Sequence, residues 1–174
     1  PDLTVSCPKG LTVATGLDAL SHALESVWNR NANPVSSGYA VIAVREILAT
    51  LPALATRLDD RALRERMLKA AMLAGLAFSN TKTAIAHSMS YPVTLHYGVT
   101  HGIACSFTLP MVLRSAIGLD ATCDDTLRQM FGEDLEAGAS RLSDFLASLG
   151  IATAADRHGV PRDAWLGIIE DAMG

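Results

Sequence analysis

Asp18, His22, His87 and His101 have the types and spacing to hold a divalent metal ion. Asp18 and His22 stand four apart in "ATGLDALSHALES", so on a helix they project from one face about one turn from each other. Leu17, Leu20 and Leu24 flank that face. A carboxylate and an imidazole turned into apolar surroundings carry a desolvation cost unless each has a strong partner, and a divalent cation is such a partner. His87 and His101 lie on either side of a stretch broken by Pro92 and Gly98, so a second pair of helices can bring them to the first pair. One Asp and three His form an N- and O-donor site that suits Fe(II) or Zn(II) and leaves a position open for a substrate oxygen. A plain hydrogen-bonded Asp-His pair on one helix fits the same spacing, and spacing alone leaves both readings open.

Other polar residues have weaker patterns. Cys105 is four after His101, so it shares that helical face and offers a softer donor for zinc. Glu25 is seven after Asp18; it is either an outer acceptor for a ligand imidazole or a helix-surface glutamate. His96 reads as a surface or hydrogen-bonded imidazole, and His158, in "DRHGVP", as a loop residue without chemistry.

The elements that must position these groups are helical. The apolar period is close to that of a helix along nearly the whole chain, and no segment alternates cleanly like a strand. The expected fold class is therefore all-α, a single domain over 1–174. A first helix is expected from about Val13 to Asn29. A second is capped by Ser36 or Ser37, with Pro52 as a kink or break. A third runs from about Asp60 to a buried end near Asn80. A short helix starts near Ala84, and "THG" turns into another from Gly102 to Ile117. Three shorter packing helices follow, with Gly150 as a stop and Pro161 as a start.

A net charge of -4 with 18% charged residues, and no cluster of Lys and Arg, gives no footprint for nucleic acid or an anionic membrane surface. No apolar run is expected to reach the roughly 18 residues of a membrane span. Three widely spaced cysteines suit free thiols in a reducing, cytoplasmic setting. The chain opens without Met and stops at "IIEDAMG" while a helical pattern is still running, so it reads as a piece of a longer protein.

The segments "ATGLDALSHALES", "NPVSSGYAVIAVREI", "KAAMLAGLAFSN", "AHSMSY" and "THGIACSFTLP" resemble, in order and spacing, the successive motifs of iron-dependent (group III) alcohol dehydrogenases. The resemblance covers roughly Pro8 to Arg114 and includes the fourteen-residue interval from His87 to His101. It implies Asp18, His22, His87 and His101 as ligands of Fe(II), with Zn(II) possible. It also implies the family's dehydroquinate synthase-like fold, in which an α/β dinucleotide-binding domain precedes an all-α metal-binding one. Only the second is expected here, since no glycine-rich phosphate loop between strand and helix occurs.

The implied activity is hydride transfer between NAD or NADP and a small alcohol or aldehyde. A zinc-dependent relative, such as a polyol dehydrogenase or dehydroquinate synthase, and a non-catalytic metal-binding module are the alternatives. Many members of the family have His where this chain has Tyr91, which is either a pocket phenol or a packing aromatic. "TKT" and "SY" around His87 look like the phosphonoacetaldehyde reductase branch, which makes Lys82 either an anion contact or a solvated lysine. The face left by the missing domain is expected to be apolar and to favour homo-oligomers.

Overall fold

A computed structural model describes residues 1–173, and among them there are nine α-helices, two short 3-10 turns and no strand. The all-α expectation is met. Helix α1, Lys9–Glu25, follows Pro8, which is held extended. Helix α2, Pro34–Leu54, is capped by Asn33: its side chain accepts from the Val35 and Ser36 amides while the Ser36 hydroxyl accepts from the Asn33 amide. The cap is therefore Asn33, with Ser36 as its reciprocal partner and Ser37 inside the helix. Helix α3, Arg61–Thr81, starts where expected and is capped by Asp60. Helix α4, Ile85–Tyr97, ends at Gly98 in the left-handed conformation. Short helices α5, His101–Ser106, and α6, Leu109–Ala116, follow. Helices α7, Ala121–Phe131, α8, Leu135–Ser148, and α9, Arg162–Met173, complete the chain.

Helix α1 is the centre of the first half and packs on α2, α3, α4 and α5. Its Leu17, Leu20 and Leu24 are fully buried, each contributing about 1.5–3 kcal/mol by leaving water. Buried alanines on α2 (Ala40, Ala43) and α3 (Ala70, Ala74, Ala77) let these two long helices lie close together. The second half packs α8 against α6 and α7, and α9 against α4. Leu127 and Leu142 are buried at its core.

Five expectations are corrected. Helix α1 starts and ends about four residues earlier than Val13 and Asn29, because Pro8 sets its start. Pro92 lies inside α4; the carbonyl that loses its partner belongs to Ser88, which is exposed and so reaches solvent. Pro110, in the first turn of α6, starts a new helix and divides the single one expected over Gly102 to Ile117. Asn80 is exposed and the buried residue at that end is Thr81. Helix α2 also passes the length and hydropathy of a membrane span, with 21 residues and mean hydropathy 1.3, contrary to the sequence reading. In this fold Val44, Ile47, Leu51 and Leu54 on it are buried in the core.

Candidate metal centre

The four side chains singled out in the sequence meet where α1, α4 and α5 join. Asp18 Oδ1 is the hub: it lies 3.5 Å from His87 Nε2, 3.8 Å from His101 Nε2 and 4.0 Å from His22 Nε2. The His22 ring is stacked between Phe78, at 4.3 Å, and His87, at 4.7 Å. His101 meets His87 edge-on at 5.4 Å.

Three local devices produce this convergence. Gly102 lets α5 press onto α1: a Cβ there would lie 1.9 Å from the Ala14 carbonyl oxygen and 3.2 Å from Asp18 Cβ. His101, next along the chain, is thereby delivered beside Asp18. Glu25, fully buried, performs the second. Its Oε1 accepts from the Ala86 amide at 2.6 Å and the His87 amide at 3.2 Å, capping α4, whose own Ala84 cap supplies no side chain. Its Oε2 binds His87 Nδ1, which leaves the lone pair of Nε2 directed at Asp18 when the imidazole is neutral. The third is a brace. Asn29 donates to the Lys82 and Thr83 carbonyls and Asn31 to that of Thr81, pinning the α3–α4 corner where Lys82 adopts a left-handed φ of 75°.

Asp18 Oδ1 and His87 Nε2 are both buried and have no hydrogen-bond partner. Two such atoms facing each other are costly unless a further group lies between them, and the donor set suits a divalent cation. Burial alone would raise the Asp18 carboxyl, but His87, His22 and His101 beside it hold it below its ordinary value. His22 is lowered, chiefly by burial. For His87 burial works against the charged form, yet Asp18, Cys105 and Glu25 outweigh it and raise the pKa to about 12.

The tightest group of ligand atoms is not quite the expected one. Asp18, His87, His101 and Cys105 each offer an atom within 4.8 Å of the others, whereas His22 falls outside that limit. Tyr91 is 53% exposed and its ring stacks on His101 at 6.0 Å, at the solvent edge of the cluster. Lys82 instead lines a separate hollow of about 500 Å³ with Arg30 and Asn31. Glu25 is the buried alternative of its two readings. His96 is exposed, and His158 binds the Ala152 carbonyl at 2.8 Å while packing on Phe107. The sequence reading missed Gly102 and the Asn29 and Asn31 brace; the only local signals were a glycine directly after a histidine and the Asn-rich "NRNANP".

Comparison with known proteins bears on this arrangement. The chain is 32% identical to long-chain-alcohol dehydrogenase 1 of Geobacillus thermodenitrificans, over 99% of this chain and 46% of the relative. It is 41% identical to the NAD-dependent methanol dehydrogenase of Bacillus methanolicus, over 64% of this chain and 29% of that protein. The crystal structure of sulfoacetaldehyde reductase from Bifidobacterium kashiwanohense in complex with NAD+ superposes with a TM-score of 0.92 at 28% identity, over 100% of this chain and 46% of that one. The chain spans about half the length of the long-chain-alcohol dehydrogenase it matches. The profile described as "Fe-containing alcohol dehydrogenase family, C-terminal" matches residues 12–174, and the chain belongs to that family.

Proposed function

We propose that this chain is the metal-holding, catalytic domain of an NAD(P)-dependent alcohol dehydrogenase or aldehyde reductase, with Asp18, His22, His87 and His101 as ligands of Fe(II), Zn(II) being the alternative ion. One observation carries the reading: the buried, unpartnered Asp18 Oδ1 and His87 Nε2 converge with His101 at the junction of three helices. The relatives named for alcohols and for an aldehyde, one of them in complex with NAD+, support the reaction class. The nicotinamide is held by a dinucleotide-binding domain outside positions 1–174.

The ion supplies Lewis-acid polarisation of the carbonyl or alcohol oxygen. Asp18 offsets part of its charge. Glu25 fixes the tautomer of His87, and the burial of both excludes water from the inner side of the site. His101 and Tyr91 form the side open to substrate, where the Tyr91 phenol donates a hydrogen bond to a substrate oxygen or holds a proton. Lys82 and Arg30 give the neighbouring hollow a positive lining, suited to a substrate with an anionic end.

Exposed Leu11 and Leu95 are covered in the working enzyme, by the nucleotide-binding domain or by a second copy in a homo-oligomer. The three free cysteines fit a cytoplasmic enzyme. Metal analysis of chain purified without chelator tests the reading, with Asp18→Ala and His101→Ala alongside. A single Fe or Zn ion per chain, lost in both variants, is expected; a parent chain that stays metal-free after anaerobic Fe(II) or Zn(II) addition overturns it.

A further inference from the structure

We infer that Cys105 is itself a ligand of the ion at this site, giving it a sulfur donor beside its carboxylate and imidazoles. The inference rests on reading the cluster as a metal site. Cys105 is fully buried and, four residues after His101 on α5, lies on the same helical face. Its Sγ is 3.5 Å from His101 Nε2. Adjacent sulfur and nitrogen donors of one five-coordinate ion, at about 2.3 Å for sulfur and about 2.0–2.1 Å for nitrogen, stand on the order of 3–4 Å apart. Cys105 also belongs to the group whose ligand atoms all lie within 4.8 Å of one another, a group that His22 does not join. His87, only 3% exposed, directs an unpartnered Nε2 into the same space, as Asp18 does its Oδ1. The thiol is thus one of several donors around a single point.

Ligation breaks the S–H bond, releases the proton to solvent and forms a sulfur–metal bond, with no change of oxidation state. A thiolate is a soft donor, so its presence moves the preference of the site from Fe(II) toward Zn(II) and Co(II). The competing assignment is a spectator thiol that donates a weak hydrogen bond to His101.

Anaerobic loading of the chain with Co(II) separates the two. Ligation gives the parent protein an intense near-ultraviolet sulfur-to-cobalt charge-transfer band. Cys105→Ser and Cys105→Ala should both lose the band and bind Co(II) about tenfold more weakly or worse, the lower end for a lost partner at a metal site. Cys123→Ser, which alters a thiol on α7, should keep band and affinity. A parent protein that takes up Co(II) without the band overturns the inference and leaves the metal reading standing, and a band that persists without Cys105 overturns it as well. A parent that binds no Co(II) removes the metal reading and this ligand together. The parent spectrum decides even if one variant fails to fold.

Discussion

Helices α6 to α9 and the junction of α1, α4 and α5 bury polar groups by opposite rules. In the former, buried Asp124 accepts from the Gly118 amide at 3.1 Å and buried Thr126 donates to the Thr122 carbonyl at 2.9 Å. Among the described residues all four buried side-chain atoms without partners, Asp18 Oδ1, Trp28 Nε1, His87 Nε2 and Thr94 Oγ1, come from α1, α4 and the connection after α1. Only Asp18 and His87 among them face each other. Satisfied groups make one half a scaffold, and the unsatisfied pair in the other leaves binding energy for a ligand.

This division can be broken experimentally. Leu142→Ala, in the buried face of α8, should cost about 2–5 kcal/mol in denaturant unfolding yet leave metal content per folded chain unchanged. Joint loss of metal would show that the halves are not separable. Gly102→Ala should cost about 1–3 kcal/mol from overpacking, and here metal content should fall with stability, since the added Cβ pushes α5 off Ala14.

Glu25→Gln sharpens the contrast within the site. The amide oxygen can still cap α4, but its NH2 now faces His87 Nδ1 and drives the proton to Nε2. Metal affinity per folded chain should fall about 10–100-fold, and the metal-free chain should lose stability as well because a buried partner of charged His87 is neutralised; unchanged metal affinity would make Glu25 a cap and nothing more. The smallest effect is that of pH. Without an ion His87 holds its proton up to about 12, so metal must displace that proton. Calorimetry in buffers of different ionisation enthalpy should show proton release at neutral pH, with apparent affinity rising about tenfold per pH unit for each proton displaced, the one on His87 and, where the thiol ligates, the one on Cys105. In the metal-free chain the stabilisation from charged His87 is complete below its unfolded value of about 6.5 and disappears as pH rises through the folded one.

Much of this was legible in the sequence because it is local. The helical period gave the class, Asp60 announced the start of α3, and Asp18 with His22 stood out as polar residues on an apolar face. Glu25 was half-legible, since its spacing put it on the right face but only the arrival of α4 buries it. Asn33, Ser36 and Ser37 are all good capping types, and their competition is settled by backbone geometry. Pro92 looked like a breaker because its tolerance depends on which carbonyl reaches solvent. The need for Gly102 was invisible, for it arises from contact with Ala14, a residue distant along the chain.

Helix α5 has six residues, well below the roughly 12–15 at which an isolated helix becomes even marginally stable in water. It therefore keeps its shape only while docked on α1, and it carries both His101 and Cys105. Undocking this short segment opens the cluster while α2 and α3 stay packed. The rate at which the proposed ion exchanges should accordingly be set by the breathing of little more than one helical turn, and not by unfolding of the whole chain.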